Sequence, residues 1–259
     1  MSAAVLRIQT LAVNTLREAV RNRVLYVLLF FALVLIGTGV LLSTLSYVER
    51  ERILQDVGLA AIRLFGAAIA IFVGVGLIHK EVERRTIFTI LSKPVSRTEF
   101  LLGKFAGLVI TIWMQVAIMA VGFFAVSWLA GAPVTLGHVQ AIALTAGELA
   151  LLVAVATLFS AFTTPMLASL FGAGFYVVGH LTRDLRELGA QSDSATVERV
   201  TAVLHRVLPD LEAFNATIEA VHGLPIAAAA VWQPLLYGVG YAAALLLLAA
   251  VVFERRDFR

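Results

Sequence analysis

Residues 24–45 read VLYVLLFFALVLIGTGVLLSTL, from Val24 to Leu45 without one charge. A helix needs about 20 mostly apolar residues to cross the hydrocarbon of a bilayer, so this run predicts a transmembrane span. Five further runs follow. Gly58–Ile78 is interrupted only by Arg63, and Phe105–Ala130 by nothing. Val139–Phe162 carries Glu148. Pro165–Leu181 is short and rich in glycine, so a re-entrant or broken helix reads as well there as a full span. The last lies within Ile226–Phe253, where Gln233-Pro234 divides an interfacial entry from the span proper, Leu235–Phe253. The expectation is an all-α polytopic membrane protein with six transmembrane helices, forming one transmembrane domain over residues 1–259.

Composition agrees. Hydrophobic residues make up 60% of the chain and charged ones 14%, against roughly 45–50% and about 25% in soluble domains. A chain of 259 residues cannot hide that much apolar surface in one soluble core. A compact soluble enzyme and a disordered chain are both excluded. The absence of cysteine removes disulfides, thiolate metal sites and thiol nucleophiles. A net charge of +3 is no nucleic-acid footprint.

The basic residues report orientation. Arg7, Arg17, Arg21 and Arg23 precede the first span; Lys80, Arg84, Arg85, Lys93, Arg97 and Lys104 lie between the second and third; Arg255, Arg256 and Arg259 close the chain. Arg50 and Arg52 fall on the other side, with Arg183, Arg186, Arg199 and Arg206 in a loop that also holds acids from Asp184 to Glu219. Both termini are therefore expected in the cytoplasm. Val24–Leu45 is too long for a signal-peptide core and ends without a small-residue cleavage site, so it reads as a retained span.

Two segments outside the spans carry more information. In His79–Phe100, helix formers run from Lys80 to Leu91, and Pro94 stops them. Ile87, Phe88, Ile90 and Leu91 share one arc, opposite Arg85, Thr86 and Thr89. Glu81 and Arg85 form an i,i+4 pair worth a few tenths of a kcal/mol. Ser96-Arg-Thr-Glu99 is a capping box that predicts a second short helix before the third span. An ordinary positive loop and a docking element for a soluble partner both fit. In the outer loop Arg183–Pro225, Val197, Val200, Leu204, Val207, Leu208 and Leu211 recur at helical spacing, with Ser192-Asp-Ser194 as start signal and Leu208-Pro209-Asp210 as stop. That amphipathic helix covers either the bundle, as a lid, or the outer membrane interface.

Charge inside a span is costly and calls for a partner or a cavity. Arg63 lies about 8 Å below the outer end of its span and Glu148 about 14 Å below the same side, at 1.5 Å per residue. An arginine side chain bridges that difference, so the two pair or line one polar path; the alternative is a snorkelling Arg63 and a protonated Glu148. Gly103 and Gly107, and Ser169 and Ala173, have the spacing of close helix contacts. There is no phosphate-binding loop: Gly103-Lys104 is followed by Phe105. His79, His138, His180, His205 and His222 lack metal-ligand spacing and read as interfacial or solvated. No metal, cofactor or catalytic motif is expected.

The layout, together with Glu81-Val-Glu-Arg-Arg-Thr86, Leu91-Ser-Lys-Pro94-Val-Ser-Arg97 and Glu99-Phe-Leu-Leu-Gly-Lys104, resembles the ABC-2 type transporter permeases, nearest to the NosY-like branch linked to multicopper-enzyme maturation. The resemblance implies a permease subunit in the cell's inner membrane that has no ATPase activity of its own. It also implies two cytoplasmic ATPase subunits, a second permease copy (a homodimer, or a pseudo-symmetric heterodimer), and an accessory protein met on the outer side. It places Glu81, Glu83, Arg84, Arg85 and Thr86 on a coupling helix, and Lys93, Pro94, Ser96 and Arg97 in the turn to the third span. Two other readings stay open. One is a non-transporting subunit doing mechanical work on a partner. The other is a membrane-embedded enzyme using Glu148, Arg63 and the outer-loop histidines.

Overall fold

A computed structural model describes residues 3–44, 49–83, 96–191 and 194–255. Among them no strand occurs. The helices are α1 (Ala3–Val20), α2 (Arg23–Ser43), α3 (Arg50–Glu83), α4 (Arg97–Leu129), α5 (Leu136–Phe162) and α6 (Pro165–His180), then α7 (Thr182–Ala190), α8 (Ala195–Val207), α9 (Thr217–Val221) and α10 (Ala228–Arg255). A 3-10 turn, Glu212–Phe214, precedes α9.

Five of these, α2, α3, α4, α5 and α10, are long and apolar enough to cross a membrane. The fifth predicted span is α6, and its 16 residues reach about 24 Å at 1.5 Å per residue, short of a full hydrocarbon core. Pro165 starts it, in the first-turn position where a missing N–H costs nothing. α5 is the centre of the bundle: α10, α3, α6 and α4 all pack on it, and Leu149, Leu152, Val153, Ala154 and Ala156 are wholly buried. A helix apolar all round belongs in such a place. α2 is the opposite case, packed mainly on α3, with Phe30, Phe31 and Leu41 facing outward at 62%, 53% and 68% exposure. Such a surface suits hydrocarbon and not water.

The structure changes several boundaries. α3 runs unbroken from its span to Glu83, because no glycine or proline follows Ile78 to stop it; Glu81 and Glu83, expected on a separate short helix, are the tail of α3. Arg84, Arg85, Thr86, Lys93 and Pro94 lie outside the described residues. The short helix expected after Ser96 and the third span are one 33-residue helix, α4. Pro234 sits inside α10 and does not divide it. The sequence reading also missed α1, an amphipathic helix laid along α4.

The segment between α6 and α10, expected as an outer loop, is built differently from the expectation. α7 and α8 pack on each other. Val197 and Val200 of the predicted stripe stay exposed, at 44% and 52%, so α8 does not cover the bundle. Beyond the stop at Leu208 the chain turns inward. The Leu211 N–H donates to Gly179 O at 3.1 Å, and Leu211 and Phe214 are wholly buried. A Cβ built on Gly238 would stand 2.8 Å from Phe214 Cζ, so a side chain there would have to displace the ring. The plug in the bundle is thus residues 211–221, and not the amphipathic helix.

Candidate functional site

Two constellations stand out, one buried in the bundle and one at the start of α4. In the first, Arg63 of α3 reaches Glu148 of α5, Nε to Oε2, at 3.1 Å. The side chains are 14% and 0% exposed, so the pair is shut off from surrounding solvent or lipid. His180, the last residue of α6, brings Nε2 to 3.3 Å from Glu148 Oε1. Its other ring nitrogen, Nδ1, is 2.9 Å from the carbonyl of Tyr176 and must be the donor there. A hydrogen between Nε2 and Oε1 therefore needs one further proton, on the ring or on the carboxyl group. Three helices are tied at one buried point by an ion pair and an ionisable contact.

His180 is the member that sequence reading missed. A histidine ending a short span reads as interfacial, and only packing turns it onto Glu148. His79 and His138 are buried, against the same expectation; the Thr135 N–H donates to His138 Nδ1 at 3.1 Å, so that ring caps α5. Among the described residues, no group of three or more His, Asp or Glu could hold a metal.

The second constellation begins at Ser96, the N-cap of α4. Its hydroxyl accepts from the Glu99 N–H at 3.1 Å, and its own N–H donates to Glu99 Oε2 at 3.0 Å, which is the capping box the spacing predicts. The same carboxylate takes two hydrogen bonds from Arg7 of α1, at 3.0 and 2.6 Å. That bond raises the Arg7 guanidinium further above its ordinary value. Below it, α1 lies against the Gly103 and Gly107 face of α4: a Cβ on Gly107 would come 2.6 Å from Ala12 O. Lys104, read in the sequence as a topogenic charge, is buried at 1% exposure with Nζ 3.5 Å from Glu18. On the other flank, Arg97 donates to the Phe253 carbonyl at 3.0 Å, and the Phe100 and Phe253 rings stack at 6.2 Å. The first turns of α4 are thus clasped to α1 on one side and to the end of α10 on the other.

Of the residues assigned to coupling, Ser96 and Arg97 sit in this clasp. The backbone of Glu81 and Glu83 belongs to the end of α3. Arg7, Glu18, Lys104 and Phe253 were not singled out in the sequence as site residues; the amphipathic repeat of residues 3–20 was the available signal.

A multi-pass bundle whose second and third long helices both run past the apolar zone matches the family of ABC-2 family transporter proteins over residues 9–258. The chain belongs to that family, and it is a transmembrane transporter subunit. Membership implies an ATPase partner within an ABC transporter. No curated protein matches the sequence.

Proposed function

We propose that the chain is the permease subunit through which ATP hydrolysis by a separate cytoplasmic ATPase moves a substrate across the inner membrane. The observation that carries this is the clasp. Whatever displaces residues 84–95 pulls on Ser96 and the first turn of α4, and Arg7–Glu99, Arg97–Phe253 and the Gly103–Gly107 contact pass that pull to α1 and α10. A short lever fixed to packed helices moves them as rigid bodies, and access through the bundle changes.

Glu81, Glu83, Arg84, Arg85 and Thr86 are the docking surface in this reading, with Lys93 and Pro94 in the turn to Ser96 and Arg97. Both termini and this segment are cytoplasmic, supported by the basic residues around them. α6, with the segment after it, makes the sixth crossing and keeps the termini on one side. Two ATPase subunits and a second permease copy complete the transporter. The long segment between α6 and α10 supports the NosY-like branch and an accessory protein on the outer side, where the exposed stripe of α8 lies along the membrane interface.

Charge reversal tests the docking. The full chain, solubilised from its native membrane, is expected to bring down a soluble ATP-hydrolysing protein, and Glu81→Lys with Arg85→Glu is expected to lose it. Retention of that protein by the reversed chain, or full activity of the purified subunit alone, overturns the proposal.

A further inference from the structure

α1 ends where two apolar spans give way to polar sequence. Arg23 opens the uncharged run of α2, and on α3 the apolar turn Gly76–Ile78 is followed by His79-Lys80-Glu81. In a bilayer that level is the headgroup layer. A cavity of about 790 Å³ opens there, between α1 with its turn (Asn14, Arg17, Glu18, Arg21, Asn22) and α3 (Gly76, Leu77). Its volume is that of a small-molecule site.

Its charge is unbalanced. Arg17 and Arg21, at the end of α1 and in the turn after it, are four residues apart and exposed, and neither side chain has an ion pair or hydrogen bond among the described residues. Like charges this close repel one another unless something answers them. Glu18, the acid of the lining, is turned to Lys104 at 3.5 Å. Asn22 is the N-cap of the 21-residue α2, so the positive end of a helix dipole borders the cavity. Directly beyond Asn22, the exposed side chains Val24, Val27 and Phe31 make an apolar stripe along one face of α2.

Cations and amides at headgroup depth, continued by an apolar stripe into the membrane, match one amphiphile. We infer that the cavity binds the phosphate of an anionic phospholipid headgroup, with Arg17 and Arg21 on its charge, Asn14 and Asn22 as further polar contacts, and an acyl chain along Val24, Val27 and Phe31. Basic pockets between membrane helices bind such headgroups generally. A soluble phosphate compound would share the charge contacts but have no use for the stripe.

Thermal unfolding of the full chain in neutral detergent, followed by its tryptophan fluorescence, separates the two. Phosphatidylglycerol is expected to raise Tm, while phosphatidylcholine and inorganic phosphate at equal concentration leave it unchanged. In the Arg17→Gln/Arg21→Gln variant the apparent affinity for phosphatidylglycerol falls tenfold or more. Gly76→Leu, where a Cβ meets no atom within 4 Å, puts a side chain into the cavity, and it weakens the lipid effect while keeping or raising the Tm without lipid. Arg199→Gln, a loss of charge away from the cavity, keeps the effect. The assignment is overturned if phosphatidylglycerol has no effect, if inorganic phosphate protects as well, if both cavity variants keep the effect, or if Arg199→Gln abolishes it equally.

Discussion

Arg63, Glu148 and His180 meet at one buried point although they come from three helices, and each is expected to depend on the others. Removing one member of a buried ion pair leaves an uncompensated charge, at a cost of about 3–5 kcal/mol. Glu148→Leu is therefore expected to lower the unfolding midpoint in micelles sharply. Adding Arg63→Leu to it should recover most of the loss, because the orphaned guanidinium is gone. Simple additivity in that double-mutant cycle would refute the pairing. Arg63 and Glu148 were legible in the sequence, since a charge inside an apolar run draws the eye. His180 was not, because nothing in Gly179-His180-Leu181 says which way the ring turns.

At the scale of elements, the contact between α1 and α4 rests on the absence of side chains. A Cβ on Gly107 meets the backbone of Ala12, which cannot move aside as a flexible side chain does. Gly107→Leu is expected to push α1 away and destabilise by about 1–3 kcal/mol, seen as a lower midpoint and faster proteolysis of the amino-terminal helix. Gly240 of α10 has open space where its Cβ would be. Gly240→Ala should be neutral or stabilising by up to about 1 kcal/mol from helix propensity alone. Equal effects at the two glycines would show that spacing, and not contact, was being measured. The clasp itself predicts a division of labour. Glu99→Gln weakens the hold of Arg7 without touching the proposed docking segment, so on that proposal the ATPase should still co-purify while the transport obtained per ATP falls several-fold. Loss of co-purification would place Glu99 in docking instead.

For the whole molecule the number of crossings decides where each face lies. The chain has no cysteine, so single introduced thiols report cleanly. With six crossings, Gln9→Cys and Arg259→Cys are both expected to resist a membrane-impermeant maleimide in intact cells and to react once the membrane is opened, whereas Arg199→Cys reacts at once. Opposite behaviour of the two terminal thiols would mean an odd number of crossings and would reverse one face of the transporter. The short α6 makes this measurement informative, since its length alone does not carry it across.

What the sequence determined by itself is additive along the chain. The cost of placing each residue in hydrocarbon sums locally, so Val24–Leu45 and the runs that became α3, α4, α5 and α10 were legible as membrane helices, and Ser96-Arg-Thr-Glu99 was legible as a cap. Which side chains meet is not additive. It depends on how each helix is rotated and tilted, and glycines such as Gly107 and Gly238 set that by letting a neighbour approach. Only the tertiary structure therefore decided that Lys104 is buried beside Glu18, that His180 turns onto Glu148, and that Leu211 and Phe214 fill the bundle while Val197 and Val200 of α8 stay exposed.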